Sequence, residues 1–341
     1  MSCALSGNNM AEAAESEDQA IPGPITLSSQ VFDVGFHPER DVIAVAQIAG
    51  TVSLHSYEAG KDSKMLMELN HHKKPCRALA FSKDGLHLFT ASKDKSLQAI
   101  DMNSGSITHA IKKAHSCPVN CLKVISDHLV ATGDDEGSVK VWDSRTVACV
   151  MEMKENEDFI SDMECDSDCK LLLATSGDGS LSVFNVRRHK HEDSSDNVET
   201  ELLSLAIVKG GRKVVCGTGE GTLNIFSWGE WGDLSDRFPG HPQSVDACVA
   251  IGNNVVCTGS IDGIIRAVHI LPNRLLGPVG EHADFPIERL RLSRDGNLLA
   301  SCSHDQTVKF WDIEHLKDTS LAPGSKKSAE STDASDFFAD L

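Results

Sequence analysis

The chain has 341 residues, 40% of them hydrophobic and only 5% aromatic, with 26 glycines and a formal net charge of −18. The hydrophobic fraction can bury a sizeable core, as one large all-β domain or two average ones, while the acidic balance, with no local basic patch, argues against a nucleic-acid binder and an anionic membrane surface. Eleven scattered cysteines and an N-terminus without a basic stretch and apolar run read as reduced thiols in an intracellular protein, and no apolar run approaches the ~18 residues of a transmembrane helix.

Residues 1–22 read as a disordered acidic segment, since the first twenty hold four acids and no Lys or Arg. PITLSSQ (24–30) has strand character. Seven related stretches follow: AQIAGTVSLHS (46–56), SKDKSLQAID (92–101), TGDDEGSVKVWDSR (132–145), SGDGSLSVFN (176–185), TGEGTLNIFS (218–227), SIDGIIRAVH (260–269) and SHDQTVKFWD (303–312). Their second turn positions are Gly50, Lys95, Gly137, Gly179, Gly221, Gly263 and Gln306, and successive differences are 45, 42, 42, 42, 42 and 43. Such a period marks a repeat architecture.

Each copy has the same inner order. A short alternating strand such as PVNCLKVI precedes a nearly continuous apolar run such as KLLLATSG, which reads as a strand buried on both faces. A two-residue turn of Asp-Gly or Glu-Gly type follows, read as type I′ with φ > 0 at both residues. An alternating strand then ends at a Trp-Asp position. A repeat of ~40–45 residues built this way implies a propeller blade, and seven blades imply a closed ring over 23–317, with 24–30 supplying the outer strand of the last blade so that no sheet edge stays open. Residues 318–341 read as a disordered tail, in which DFFADL, with Phe337 and Phe338, looks like a short docking motif.

Several stretches could carry chemistry. GTGEGT (217–222) lacks the Lys-Ser/Thr of a phosphate loop and falls on the repeat register, so it reads as a turn. Cys117-x₃-Cys121 and Cys165-x₃-Cys169 lack a converging second pair, and core or turn thiols are expected rather than a metal site. RRHKHEDSSDNVE (187–199), with His189 and His191, reads as a charged insertion between blades 4 and 5. No catalytic motif is present, so neither enzyme activity, metal nor cofactor is expected. Protein partners are expected on the loops that enter the blades, near 70–75, 113–118, 239–244 and 280–286; HHKK within the first is the most basic stretch there.

The Trp-Asp pairs at 142–143 and 311–312, with degenerate versions such as Ile100-Asp101 and Phe184-Asn185, make the chain resemble the WD-repeat (WD40) β-propeller family of four-stranded antiparallel blades. That resemblance implies a hydrogen-bond set in each blade. The turn acid would be Asp94, Glu136, Asp178, Glu220, Asp262 and Asp305; a Ser/Thr two residues earlier would be Ser92, Ser176, Thr218, Ser260 and Ser303; the entrance His would be His72, His115, His241 and His282. Blade 1 has Ala49 at the acid position, blade 3 has Asp134 in place of Ser/Thr and blade 5 lacks the His, so these three are expected to rest more on packing.

Trp142-Asp143-Ser144-Arg145 is similar to the Trp-Asp-x-Arg pattern with which WD-repeat proteins dock the adaptor of cullin-4 ubiquitin ligases; the simpler reading pairs Arg145 with a nearby acid such as Glu136. HILPNRLLGPVGEH (269–282), with CRALAFSKDGLHLFTASKDKSLQAID (76–101) and STDASDFFADL (331–341), resembles the WD repeat-containing protein 55 family, whose fungal members are assigned to ribosome biogenesis. The resemblance implies a nuclear or nucleolar scaffold in ribosomal RNA processing, acting as a monomer within complexes. Its partners would be pre-ribosomal assembly factors or the ligase adaptor, without direct nucleic-acid or membrane contact.

Overall fold

The computed structural model describes residues 21–317. The expected tail 318–341, with Phe337 and Phe338, and residues 1–20 lie outside the described residues. Within them, 28 strands form seven four-stranded antiparallel sheets, the blades of one propeller. In blade 4, for example, the strands run Ile160–Cys165, Leu171–Ser176, Leu181–Asn185 and Lys190–Ser194 from the axis outwards. The second strands are the apolar runs of the sequence and are buried over five or six consecutive residues, as expected for strands covered on both faces.

A single blade is too thin to hold its own core. The hydrophobic side chains accordingly gather into clusters at the seams, each drawn from two adjacent blades. The seam between blades 3 and 4, for instance, joins Ala131 and Val141 to Leu172 and Phe184.

Each inner strand also carries a register shift after its first residue, as at Val31/Asp33, Ile160/Asp162 and Leu202/Ser204. A bulge of this kind leaves backbone groups unpaired, and in blades 2, 4, 5 and 6 side chains of the preceding blade bond to them. Asp33 Oδ2 accepts from Leu79 N (3.0 Å), and Asp162 Oδ2 accepts from Leu205 N (3.2 Å). Asn120 Nδ2, Ser161 Oγ and Ser204 Oγ donate to the carbonyls of Ile160, Leu202 and Val245.

The ring is sealed as the sequence implies. Ile25–Thr26 pairs antiparallel with Thr307–Asp312 and becomes the outer strand of blade 7, with Ile25 opposite Val308. Two residues make a short clasp. The seam gains further hold from Phe310 stacked on Tyr57 (centroids 5.7 Å apart), from Phe36 edge-on to Tyr57 (5.1 Å), and from Arg291–Asp33 (3.1 Å) and Arg294–Asp41 (3.0 Å) ion pairs.

Two expectations need correction. The hairpin turns between second and third strands are not type I′. Only the second turn position has positive φ, between 67° and 86° at Gly50, Lys95, Gly137, Gly179, Gly221, Gly263 and Gln306. The residue before it does not have positive φ, and where it is Asp its side chain folds back onto the turn: Asp94 Oδ1 accepts from Ser96 N (3.0 Å), and Asp178 Oδ1 from Ser180 N (2.9 Å). The segment 187–199 is likewise no insertion, for Lys190–Ser194 is the outer strand of blade 4, pairing Asn185 with Lys190. An outer strand has only one neighbour and largely solvated faces, so it can be polar throughout.

If the clasp closes the ring, Ile25→Ala, at a site 3% exposed, should cost about 2–4 kcal/mol in urea unfolding, and Ile21→Ala, at 45% exposed, less than about 0.5. Equal effects from the two would contradict the closure.

Candidate interaction sites

The polar set inside the blades positions the surfaces around it. In blade 7, His282 Nδ1 lies 2.8 Å from Asp305 Oδ2, His282 Nε2 lies 2.7 Å from Ser301 Oγ, and Trp311 Nε1 donates to that same oxygen at 2.8 Å. A carboxylate can only accept, so Nδ1 carries the proton towards Asp305. Burial lowers the pKa of His282 and keeps the ring neutral, so Nε2 accepts from the Ser301 hydroxyl, which accepts from the indole. Blade 3 repeats the geometry with His115, Asp134, Thr132 and Trp142 at 2.8, 2.7 and 2.8 Å.

This corrects the assignments made from the sequence. The hydroxyl that meets the entrance His stands four residues before the turn acid: Thr90 in blade 2, Thr258 in blade 6, and Ser301 in blade 7, where it also accepts from the Trp311 indole. Ser92, Ser176 and Ser303, two residues before it, instead accept from the backbone N–H of the turn acid itself. In blade 3 the acid is Asp134, not Glu136, so that blade is complete rather than deficient. Glu136 is exposed and lies 3.7 Å from Lys154. Glu220 is exposed too, and Thr218 Oγ1 closes its turn by accepting from Thr222 N. The signal that could have placed the hydroxyl is diagonal cross-strand geometry: Trp142 pairs with Val130, which puts its indole within reach of residue 132, two further on.

The other blades depart in different ways. In blade 2, His72 Nδ1 is 3.3 Å from Asp94 Oδ2, so the second histidine of the HHKK stretch is committed to the interior. Asn156 takes the histidine position in blade 4 and bonds Ser180 Oγ, while Asp178 accepts from Glu157 N. In blade 6 Asp262 is claimed by Arg266 through two bonds (3.1 and 2.7 Å), and His241 Nδ1 and Ser260 Oγ find no partner among the described residues.

Arg145 sits where the third strand of blade 3, Ser138–Asp143, turns towards the outer strand Ala148–Lys154. Its Nε and Nη2 grip Asp143 at 3.1 and 2.7 Å, and its backbone N–H donates to the same carboxylate. These bonds hold Asp143 well below the usual carboxylate range. Glu136 is no candidate partner, because it lies at the opposite end of that strand. The Arg145 side chain is 62% exposed, Asp143 only 13%. Asp143 thus fixes the stem of the guanidinium while N–H groups remain free to reach a carbonyl or carboxylate. Beside it runs an apolar crevice between blades 2 and 3, walled by Phe89, Leu97, Ile111, Trp142 and Val147. At the equivalent turn of blade 7 Asp312 accepts from Glu314 N, with no cation.

The two faces differ. The entrance face carries exposed Ile48, Ile261 and Phe285 together with a charged rim in which Arg77 pairs with Asp135 (2.6 Å) and His304 with Glu288 (2.7 Å). Burial pushes Asp246 on that rim up to about 6. The opposite face opens into a cup of about 1050 Å³ lined by all seven blades. Between them Arg289 of blade 7 crosses to blade 4, donating to Ser161 O (3.0 Å). Among the described residues no group of His, Cys, Asp and Glu is arranged to hold a metal, and Cys121, Cys165 and Cys169 are free thiols, Cys121 buried at a seam.

The WDR55 family matches residues 22–316. WD repeat-containing protein 55 of Rattus norvegicus is 42% identical over 331 residues, covering 94% of this chain and 86% of its own length. The Homo sapiens protein is 43% identical over 297 residues (87% and 78%), and the Dictyostelium discoideum homologue 41% over 304 (89% and 74%).

Two measurements check this geometry. Ser301→Ala strands the buried His282 and the partly buried Trp311 indole and should cost about 2–4 kcal/mol, whereas Ser303→Ala should cost about 1 or less; the reverse order in urea unfolding would refute the assignment. Stability should also fall as pH drops below about 6.5. His72, His241 and His282 have depressed folded pKa values, so protonation favours the unfolded chain from the unfolded value downwards. Asp94, Asp134 and Asp305 are depressed as well, burial being outweighed by their hydrogen bonds, and their contribution, present above about pH 4, is lost as pH falls further. A melting temperature that is flat from pH 7 to 5 would contradict this.

Proposed function

The chain belongs to the WDR55 family, and from that premise we propose that it is a non-catalytic scaffold of the nucleus, concentrated in the nucleolus, that serves ribosomal RNA processing by holding pre-ribosomal assembly factors. The carrying observation is the family match across all seven blades, residues 22–316. WD40 propellers generally act by binding proteins, and the fungal members of this family are assigned to ribosome biogenesis. The physical support is a propeller packed along its seams that presents loops on its faces. Exposed Ile48, Ile261 and Phe285 on the entrance face suit protein partners.

A second reading, a substrate receptor of a cullin-4 ubiquitin ligase, is favoured by one observation: Arg145 is presented at the end of a strand, its stem held by Asp143, beside an apolar crevice. Affinity purification of the tagged chain, wild type beside Arg145→Glu, separates the two. The scaffold reading expects pre-ribosomal proteins with both baits and accumulation of precursor rRNA on depletion. It fails if neither is seen. The receptor reading expects the ligase adaptor with wild type only, at unchanged fold stability, since an exposed substitution moves stability by about 0.5 kcal/mol or less. Recovery of the adaptor with both baits would overturn that role for Arg145.

A further inference from the structure

Lysines that the sequence scatters over residues 73–113 meet on the entrance face of blade 2. Lys73 and Lys74 lie in the loop that enters the blade, Lys93 and Lys95 in the turn between its strands His87–Ser92 and Leu97–Asp101, and Lys112 and Lys113 in the loop that leaves its outer strand Ile107–Ile111. Backbone groups tie the three segments together. Lys93 N donates to Pro75 O (2.9 Å), Lys73 N to Asp94 Oδ2 (3.1 Å) and Ala114 N to Lys95 O (2.9 Å). All six lysines are exposed. Among the described residues none of their ammonium groups pairs with a carboxylate, because the acids around them are engaged elsewhere: Asp94 with His72, Asp135 with Arg77, Glu136 with Lys154, and Glu68 with the Asn70 amide.

Lys95 adds a second observation. It occupies the turn position that is glycine in five of the seven blades, and its φ of 73° is a left-handed conformation that is strained for a residue with a β-carbon. A cation stands there at a cost to the turn itself. Its ammonium donates to Ser116 O, which fixes it over the loop of Lys112 and Lys113. The same face has the opposite sign further round the ring, where the corresponding loops and turn of blades 4 and 5 carry exposed Glu157, Asp158, Glu199, Glu201 and Glu220.

We propose that the lysine patch of blade 2 binds an acidic segment of a partner protein, an extended run of Asp and Glu. The contrast of sign across the face attracts such a segment to blade 2 and repels it from blades 4 and 5, which sets where it lies. A nucleic acid fits less well. A duplex carries one charge per ~1.7 Å and would run on from the patch over the acidic loops. No exposed cation of the patch is an arginine that could fork onto a phosphate, and no exposed Phe, Tyr or Trp stands among the lysines to stack a base. The proposal rests on the scaffold reading for the partner being a protein. Precursor rRNA reports on that reading and peptide binding on the patch alone, so the two fail separately.

The test is fluorescence anisotropy of the full chain with a labelled octaglutamate peptide, beside an uncharged peptide and an oligouridine of equal charge. Octaglutamate should bind more tightly than either, and less tightly as salt is raised. Lys73→Glu with Lys74→Glu, and separately Lys112→Glu with Lys113→Glu, should each weaken its binding at least tenfold. The control pair Lys64→Glu with Lys83→Glu, exposed positions at the opposite face with the same change of net charge, should change it less than twofold. Octaglutamate bound no better than the uncharged peptide, an equal loss in the control pair, or oligouridine bound at least as tightly through the same lysines would each overturn the proposal.

Discussion

Everything in this structure depends on one constraint: a four-stranded sheet with two apolar faces cannot be stable alone, and it becomes stable only when a neighbour covers each face. The hydrophobic clusters therefore lie between blades, not within them. Repetition solves the problem for the inner blades and moves it to the ends, where only closure removes the last bare face. The short Ile25–Thr26 clasp is sufficient because it is not alone. The Phe36–Tyr57–Phe310 aromatic group and the Arg291–Asp33 pair span the same seam. The single tyrosine of the chain is spent there.

Polar groups serve the same constraint. The bulged inner strands would leave amides and carbonyls unpaired in the core, and for blades 2, 4, 5 and 6 a side chain of the preceding blade supplies a partner. The His–Asp–hydroxyl–Trp chain rigidifies a blade from within, at full length only in blades 3 and 7 of the described ring. Elsewhere other residues stand in: Ser53 with His55 and Gln47 in blade 1, Asn156 in blade 4, Arg266 in blade 6. A scaffold tolerates such variation because no single blade must be perfect. Arg145 shows how a surface feature is built on top: Asp143 first shapes the turn, as Asp312 does in blade 7, and then also holds a guanidinium.

Much of this was legible in the sequence for a physical reason. The period, the second and third strands, the positive-φ turn residues and the closing strand are features that burial or backbone sterics force on residue type. The outer strands were not legible. Ile107–Ile111 and Lys190–Ser194 pack on one side at most and follow no strict alternation, so the latter looked like a loop. The position of the set's hydroxyl was missed because Ser92 and Thr90, or Ser303 and Ser301, share one face of their strands and differ only in depth. Glu136 was taken for Asp134 because the register of the turn, not the identity of the acid, guided the assignment. Arg289 could not be foreseen at all, since its partner Ser161 lies on a distant blade. The surfaces that choose partners are the least constrained by folding and so the least readable.

The most direct test of the closed ring is native-state hydrogen exchange resolved to segments 25–26 and 307–308, with 222–227 of blade 5 as internal reference. A sealed propeller predicts that the two clasp segments are protected and open in the same cooperative unit as the reference. Exchange of both at the rate of an unstructured peptide, while blade 5 stays protected, would show an open edge and contradict the account.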